Sequence, residues 1–220
     1  MAKLSSYGTD DLAEIYDLMY EGRKDYAGES ARVVALVRSR KPDASTLLDV
    51  ACGTGIHLTS FATRFDQVAG VDLAEAMVAR AKQRLPDVPL QQADMRDFDL
   101  GRTFDAVVCL FSSVGYLSTV TDLHDSVRSM AKHLVSGGVL VLEPWYFPDT
   151  FVPGFVSSHA VQAGTRAIAR VAHATRDGNT TRIEIHHLIG DTGNGIEHHS
   201  STDVIALFER EDHLAAFRQS

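Results

Sequence analysis

At 220 residues the chain fits one large domain, or a domain with an elaboration, and is long enough for a substantial core. A hydrophobic share of 45% and a charged share of 23% are ordinary for a soluble globular protein, and a net charge of -8 argues against a generic binder of phosphate backbones, so no nucleic-acid partner is expected. Two cysteines, Cys52 and Cys109, make neither a CxxC pair nor a disulfide framework, the N-terminus holds no apolar core of signal-peptide length, and no run approaches the roughly 18 apolar residues of a membrane span; the expectation is a cytoplasmic protein with no membrane contact.

Residues 9 to 20 read as a helix, with Thr9 as a possible cap and Leu12, Ile15, Tyr16 and Met19 on one face. "EGRKDY" interrupts it, and residues 27 to 39 read as a second helix burying Val33, Leu36 and Val37. Alternation then begins. "STLLDVA" is a strand leading to a Gly-rich turn and a helix over 56 to 64; "VAGVDL" is a second strand, before a helix over 74 to 84. "PLQQADM" and "FDAVVCLFS" supply a third and a fourth strand, a helix follows over 122 to 134, and "GGVLVLEPW" is a fifth strand. Strands alternating with helices imply βαβ units, and right-handed crossovers make the α/β sheet doubly wound and mostly parallel.

After Trp145 the pattern changes. "PDTFVPGF" reads as irregular, "TRAIARVAHATRDGNTTRIEIHHLIG" as two strands joined by a turn at residues 176 to 179, and "GIEHHSSTDVIALF" as another strand or two. This is an added antiparallel region, and "EREDHLAAFRQS" starts a final helix. A sheet of this type would usually continue into a closing antiparallel pair; either those strands are absent here or the sheet ends at five. The expected division is a helical cap over 1–40, a ligand-binding core over 41–150, the antiparallel addition over 151–208 and a C-terminal helix over 209–220.

In open α/β sheets, ligands bind beyond the C-terminal strand ends, where the strand order reverses. "LLDVACGTGIHL" is the stretch to examine. A phosphate-gripping loop needs GxxxxGK[ST], and no Lys follows. A dinucleotide turn needs G-x-G-x-x-G; Gly53 and Gly55 are present, but Leu58 stands where the third glycine belongs, which leaves a nicotinamide oxidoreductase as a weak runner-up. What remains is an acid, Asp49, ahead of two glycines. A carboxylate there suits a ligand's ammonium, and the glycines let backbone N–H groups come close. Asp72 ends the second strand, where an acid can accept from both ribose hydroxyls. Asp94 and Met95 follow the third strand, where an acid can take an adenine amino proton. The plainer roles are helix capping for Asp49 and Asp72 and small-residue packing for Cys52.

In the antiparallel region, alternation puts Arg182, Glu184 and His186 on one face of their strand and Ile183, Ile185 and Ile189 on the other, with Arg170 on the neighbouring strand. Two guanidiniums on a polar face make either a diphosphate clamp or a solvated surface. Trp145 and Phe147, after the fifth strand, could pack on a sugar or base or simply fill the core, and Tyr116, after the fourth, could reach the reacting centre or pack. His186-His187 and His198-His199 are neighbours on strands and point to opposite faces, so no metal site is expected.

Together, DxxCGTG, the ribose acid and the Asp-Met pair resemble the class I S-adenosylmethionine-dependent methyltransferases. The stretches "YDLMYEGRKDY", "TLLDVACGTG", "ADMRDFDLGR", "FSSVGYL", "EPWYFPDTF", "ARVAHATRDGNTTRIEIHH" and "VIALFEREDHLAAF" resemble a narrower family. These are the aminosugar N,N-dimethyltransferases of macrolide biosynthesis, which act on dTDP-linked 3-amino-dideoxy sugars as in the desosamine and mycaminose pathways. The resemblance implies a Rossmann-like methyltransferase fold with S-adenosyl-L-methionine as cofactor, held at Arg23, Ala51, Asp72, Asp94, Met95 and Leu110. It also implies sugar-facing roles for Tyr16 and Trp145, a nucleotide against the antiparallel addition, and a homodimer. The expected reaction is in-line attack of a neutral amine on the sulfonium methyl, which alignment accelerates. Tyr16, Tyr116 and His186 are the candidates to orient the amine or accept its proton. The alternatives are methylation of another small natural-product acceptor, at oxygen or nitrogen, and non-catalytic binding of S-adenosylmethionine.

Overall fold

The computed structural model describes residues 10–20 and 23–220. The expected cap at Thr9 and the side chain of Leu12 lie outside the described residues. Five apolar strands form a parallel sheet: β1 (Thr46–Val50), β2 (Gln67–Asp72), β3 (Leu90–Gln92), β4 (Phe104–Cys109) and β5 (Leu134–Leu142), in the order β3-β2-β1-β4-β5. The order reverses at β1, so a crevice opens between the C-terminal ends of β1 and β4. Buried on both faces, β1 reads as a continuous apolar run broken only by Asp49. Leu47 joins one core layer with Leu58, Phe61 and Val37; Leu48 and Val50 join the other with Phe104, Leu123 and Met130.

Helices α1 (Asp10–Tyr20), α2 (Tyr26–Arg38), α3 (Ile56–Ala62), α4 (Glu75–Arg84) and α5 (Val120–Ala131) accompany this sheet. Their buried stripes correct two expectations. In α2 the buried line is Ser30, Val34 and Val37, whereas Leu36 is 41% exposed. The true stripe follows i, i+4, i+7, and Leu36 falls just outside it. Helix α5 begins two residues earlier than its apolar pattern suggests. Thr119 and Asp122 cap it reciprocally, each side chain accepting from the other's backbone N–H (3.0 and 3.1 Å).

Beyond β5 the chain builds a separate antiparallel sheet from β6 (Phe155–Ala163), β7 (Arg166–Asp177), β8 (Thr180–Asp191) and β9 (Gly195–Ala206), ordered as they occur. Strand β6 was not expected. Its sequence, FVSSHAVQA, carries small and polar residues on both faces, so alternation gives it no signature. A final helix, α6 (Arg210–Arg218), lies against α5.

Register decides what each face of the second sheet carries. Arg170 stands directly opposite His187, and Ile183 opposite Asp203, so these four share the inner face with Ile168, Ile185 and Ile189. Helix α1 packs against α4 on one side and against the second sheet on the other. Ile15 and Met19 pack on Ile168 and Ile189, and Glu14 meets Arg166 at 2.9 Å; toward the core, Ala13 packs with Ala74 and Met77.

Candidate active site

The turn after β1 is built from backbone conformations that side chains disfavour. Ala51, Gly53 and Gly55 all have positive φ (60°, 57° and 80°). A Cβ on Gly53 would meet nothing within 4 Å, so its backbone is open toward the crevice. A Cβ on Gly55 would lie 3.2 Å from the Ala81 methyl, so this glycine permits the close helix approach that a third glycine provides elsewhere. Leu58, at the missing position, is fully buried core. Phe111 and Ser112, after β4, also have positive φ (54° and 62°), and the Phe111 N–H donates to Glu143 Oε2 at 2.7 Å. Non-glycine strain thus brackets the crevice on both sides, as is common where a ligand is gripped.

Two acids line the β1–β2 side. Asp49 is 2% exposed, and burial, reinforced by the nearby Asp72 carboxylate, pushes its carboxyl pKa well above the usual range. Asp72 is raised too, by burial, which N–H donors partly offset: Ala74 N–H reaches Oδ1 at 2.9 Å and Gly53 N–H reaches Oδ2 at 2.8 Å. Two adjacent, desolvated carboxylates call for a cation and for hydroxyl donors. A ligand with an ammonium and a ribose, as S-adenosylmethionine has, fits this donor set. Asp94 stands beyond β3, forked to Arg96 at 2.5 to 3.1 Å and held below the usual carboxylate range by that guanidinium. Met95 is half-buried beside it, and Leu110 is buried at the end of β4. Arg23 is exposed in the turn after α1, where its N–H bonds Tyr20 O at 3.1 Å. Cys52 and Cys109 are buried, and burial raises both thiols, so neither is a ready nucleophile.

The glycine turn is tied to α1. Asp17, 2% exposed, accepts from Thr54 Oγ1 at 2.5 Å, Arg80 Nε at 2.7 Å and an Arg84 nitrogen at 2.8 Å. Arg84 also donates to the Thr54 carbonyl. Sequence reading missed Asp17 because its arginine partners lie 63 and 67 residues away, with no local motif to mark them. On the neighbouring turn of α1, Tyr16 contacts Tyr20 (centroids 4.7 Å apart), and both rings meet Phe111 edge-on at 6.5 and 5.4 Å.

In the short turn that follows Phe111, the Tyr116 hydroxyl donates to Asp203 Oδ2 at 3.2 Å. Gly115 is hemmed in: a Cβ there would lie 2.5 Å from Ile205 and 3.2 Å from Trp145. The Trp145 indole N–H is buried and meets no acceptor among the described residues. Arg170 lies on the inner sheet face beside His187, its guanidinium 3.3 Å from Ser157 Oγ. Burial, then Arg170 and His199, keeps His187 below the usual histidine range and so neutral.

Three expectations need correction. Arg182 pairs with Thr175, not with the Arg170 line, so the two guanidiniums face opposite sides of the sheet and cannot share one diphosphate. His186 lies on that outer face with Arg182, bonded to Glu184 (3.0 Å) and His198 (2.8 Å), away from Tyr16 and Tyr116. Phe147 gives its ring to α6, with Arg210 at 3.8 Å over its face and His213 at its edge. Among the described residues no group of three or more His, Cys, Asp or Glu side chains could hold a metal ion, and no helix is long and apolar enough to cross a membrane.

A methyltransferase-domain family profile matches residues 47–138. The dTDP-3-amino-3,4,6-trideoxy-alpha-D-glucopyranose N,N-dimethyltransferase of Streptomyces venezuelae is 53% identical over 208 residues, covering 94% of this chain and 88% of its own. The dTDP-4-amino-2,3,4,6-tetradeoxy-D-glucose N,N-dimethyltransferase of Saccharopolyspora spinosa is 42% identical over 220 residues, 100% of this chain and 88% of its own. Among solved structures, an amino pentose methyltransferase from Micromonospora echinaspora with S-adenosylmethionine bound superimposes with a TM-score of 0.86 at 48% identity, covering 93% of this chain and 87% of that one.

Two predictions follow from the geometry. Replacing Asp17 by Ala leaves two guanidiniums without their shared acceptor and should cost about 3 kcal/mol in urea unfolding. It should also weaken S-adenosylmethionine binding, because Thr54 loses its anchor; an unchanged affinity would separate α1 from the turn. The second concerns pH. Raised carboxyl pKa values mean the folded protein holds these protons more tightly than the unfolded chain does. That contribution is full at low pH and falls as pH rises from about 4 through the raised values. An ammonium bound beside the acids reverses the loss. The gain in Tm on adding S-adenosylhomocysteine should therefore grow as the pH rises above the ordinary carboxylate range of about 4, and grow less in Asp49→Asn. A flat profile in the unaltered protein would exclude Asp49 as the ammonium's partner.

Proposed function

Because the chain belongs to the S-adenosylmethionine-dependent N,N-dimethyltransferases of dTDP-aminosugars, we propose that it dimethylates the C3 amine of a dTDP-3-amino-dideoxy sugar in antibiotic deoxysugar biosynthesis. The observation that carries this reading is the pairing of a two-acid crevice with a neighbouring sheet face bearing Arg170 and His187. Identity favours C3 over C4 as the amine position, at 53% against 42%.

Residues around the turn would hold the cofactor: Asp49 its ammonium, Asp72 its ribose, Asp94 and Met95 its adenine, with Ala51, Gly53, Gly55 and Leu110 shaping the wall and Arg23 at the rim. When bound, S-adenosylmethionine supplies an electrophilic methyl group. The chain's own contribution is alignment and exclusion of water. Tyr16, in ring contact with Tyr20 and Phe111, would wall the acceptor on one side, and Tyr116, bonded to Asp203, would approach it on the other. The Trp145 N–H offers a donor to a sugar oxygen. Arg170 would meet the diphosphate, with neutral His187 beside it adding no second charge. Arg182 and His186 take no part in this reading, and Phe147 serves it only by fixing α6.

The outer face of the second sheet suits a second copy of the chain. Val156, Val171, Leu188 and Ile196 are 60%, 49%, 50% and 79% exposed there, an apolar surface of the kind a homodimer covers. Leu188→Lys with Ile196→Lys should convert a dimer to a monomer in sedimentation. A wild-type monomer at micromolar concentration would remove this part of the reading.

Incubation with S-adenosylmethionine and a dTDP-3-amino-dideoxy sugar should give product masses about 14 and about 28 units above the substrate, one methyl at a time. A folded, cofactor-binding protein that yields neither mass with 3-amino or 4-amino substrates would overturn the assignment.

A further inference from the structure

Asp94, the acid beyond β3, is gripped by the residue two places on. Arg96 turns its backbone N–H to Oδ1 at 3.0 Å, shares its Nε–H between Oδ1 and Oδ2 at 3.0 and 3.1 Å, and reaches Oδ2 with Nη2 at 2.5 Å. The same guanidinium extends Nη1 to Asp122 Oδ1 at 3.2 Å. Asp122 is itself fixed in the first turn of α5, where its Oδ2 accepts the Thr119 N–H at 3.1 Å and the Thr119 hydroxyl at 2.8 Å. Asp122 thus caps α5 with one oxygen and braces Arg96 with the other. The Asp94–Arg96 pair is partly open to solvent, its side chains 31% and 39% exposed, and an ion pair so placed contributes little stability by itself. What the fork does supply is orientation.

An ionised carboxylate has about four acceptor positions and no hydrogen of its own. The three N–H groups of Arg96 take three of them on Asp94, which leaves about one. The side-chain hydrogen bonds from Arg96 outweigh partial burial and hold the carboxyl below its usual range, so that remaining position can only accept. A carboxylate free to rotate would offer any of its lone pairs; this one offers a single acceptor in a single direction. We propose that Arg96, braced by Asp122, is a positioning residue that makes Asp94 a one-acceptor reader of the adenine 6-amino group. This rests on the assignment of Asp94 to the cofactor's adenine, and it gives the cap of α5 a part in cofactor selection.

The test is binding without turnover. Calorimetry would compare S-adenosylhomocysteine with its 6-deamino analogue, in which a hydrogen replaces the amino group. The unaltered protein should prefer the amino ligand by roughly tenfold or more, as a hydrogen bond to a charged acceptor implies. Arg96→Met should reduce that preference to about threefold or less, by weakening the amino ligand and leaving the affinity of the analogue unchanged. A merely structural loss would weaken both ligands equally. Arg96→Lys keeps the charge without the fork and should lose the preference as well. In an Asp94→Ala background, Arg96→Met should change the preference no further. A full preference in Arg96→Met, or in Arg96→Lys should the Met variant fail to fold by its melting curve, would overturn the proposal, as would equal weakening of both ligands. Failure of the adenine assignment would show separately and would take the proposal with it: the unaltered protein would bind the two ligands alike, or Asp94→Ala would leave the preference intact.

Discussion

The buried fork at Asp17 is the contact on which the site's assembly depends. One carboxylate on α1 holds Thr54 of the glycine turn and two arginines of α4, all within 2.8 Å. The same helix presents Ile15 and Met19 to the second sheet. Thus a single helix, fixed on one side by charge and on the other by apolar packing, sets where the crevice stands relative to the face bearing Arg170. Burying a carboxylate is favourable only when its partners have good geometry, and here three donors supply it. The consequence is that Tyr16, one residue from Asp17, has its place set by the turn that would hold the cofactor.

The crevice itself concentrates what a fold normally avoids. Two desolvated carboxylates stand side by side, three non-glycine residues have positive φ, and an indole N–H is buried without an acceptor among the described residues. Each is unfavourable in the free protein. Each becomes favourable when a ligand brings a cation to the acids or an oxygen to the indole. The dense core on either side of β1, from Phe61 and Leu58 on one face to Phe104 and Met130 on the other, is what allows the strand ends to carry that load. Methyl transfer to an amine suits such a design, since neither a covalent nucleophile nor a metal is needed and orientation supplies much of the rate.

Much of this was legible in the sequence, and the boundary of what was legible is physical. Asp49, Gly53, Gly55, Asp72 and Asp94 announce themselves because each lies at, or a few residues beyond, the C-terminal end of one of the first three strands. Periodicity along one strand also placed Arg182, Glu184 and His186 on a common face. What it could not give was register. A pairing of Arg170 with His187 puts Arg170 on the opposite face from Arg182, and a shift of one residue would have put them together. Strand β6 escaped notice because neither of its faces is apolar throughout. Asp17 and Asp203 escaped because their roles come from partners 37 to 87 residues away, and nothing local distinguishes either from a surface acid. Leu36 illustrates the smaller error, in which a helical stripe is read one residue off its true axis.

The central claim is that the glycine-turn crevice and the inner face of the second sheet together form one site, cofactor on one side and nucleotide-sugar on the other. A crystal structure with S-adenosylhomocysteine and a dTDP-3-amino-dideoxy sugar tests it most directly. The account predicts the sugar nitrogen between Tyr16 and Tyr116, facing the sulfur, with the diphosphate against Arg170 on the face shared with His187. A diphosphate bound at Arg182 on the outer face, or a sugar nitrogen remote from the crevice between β1 and β4, would contradict it.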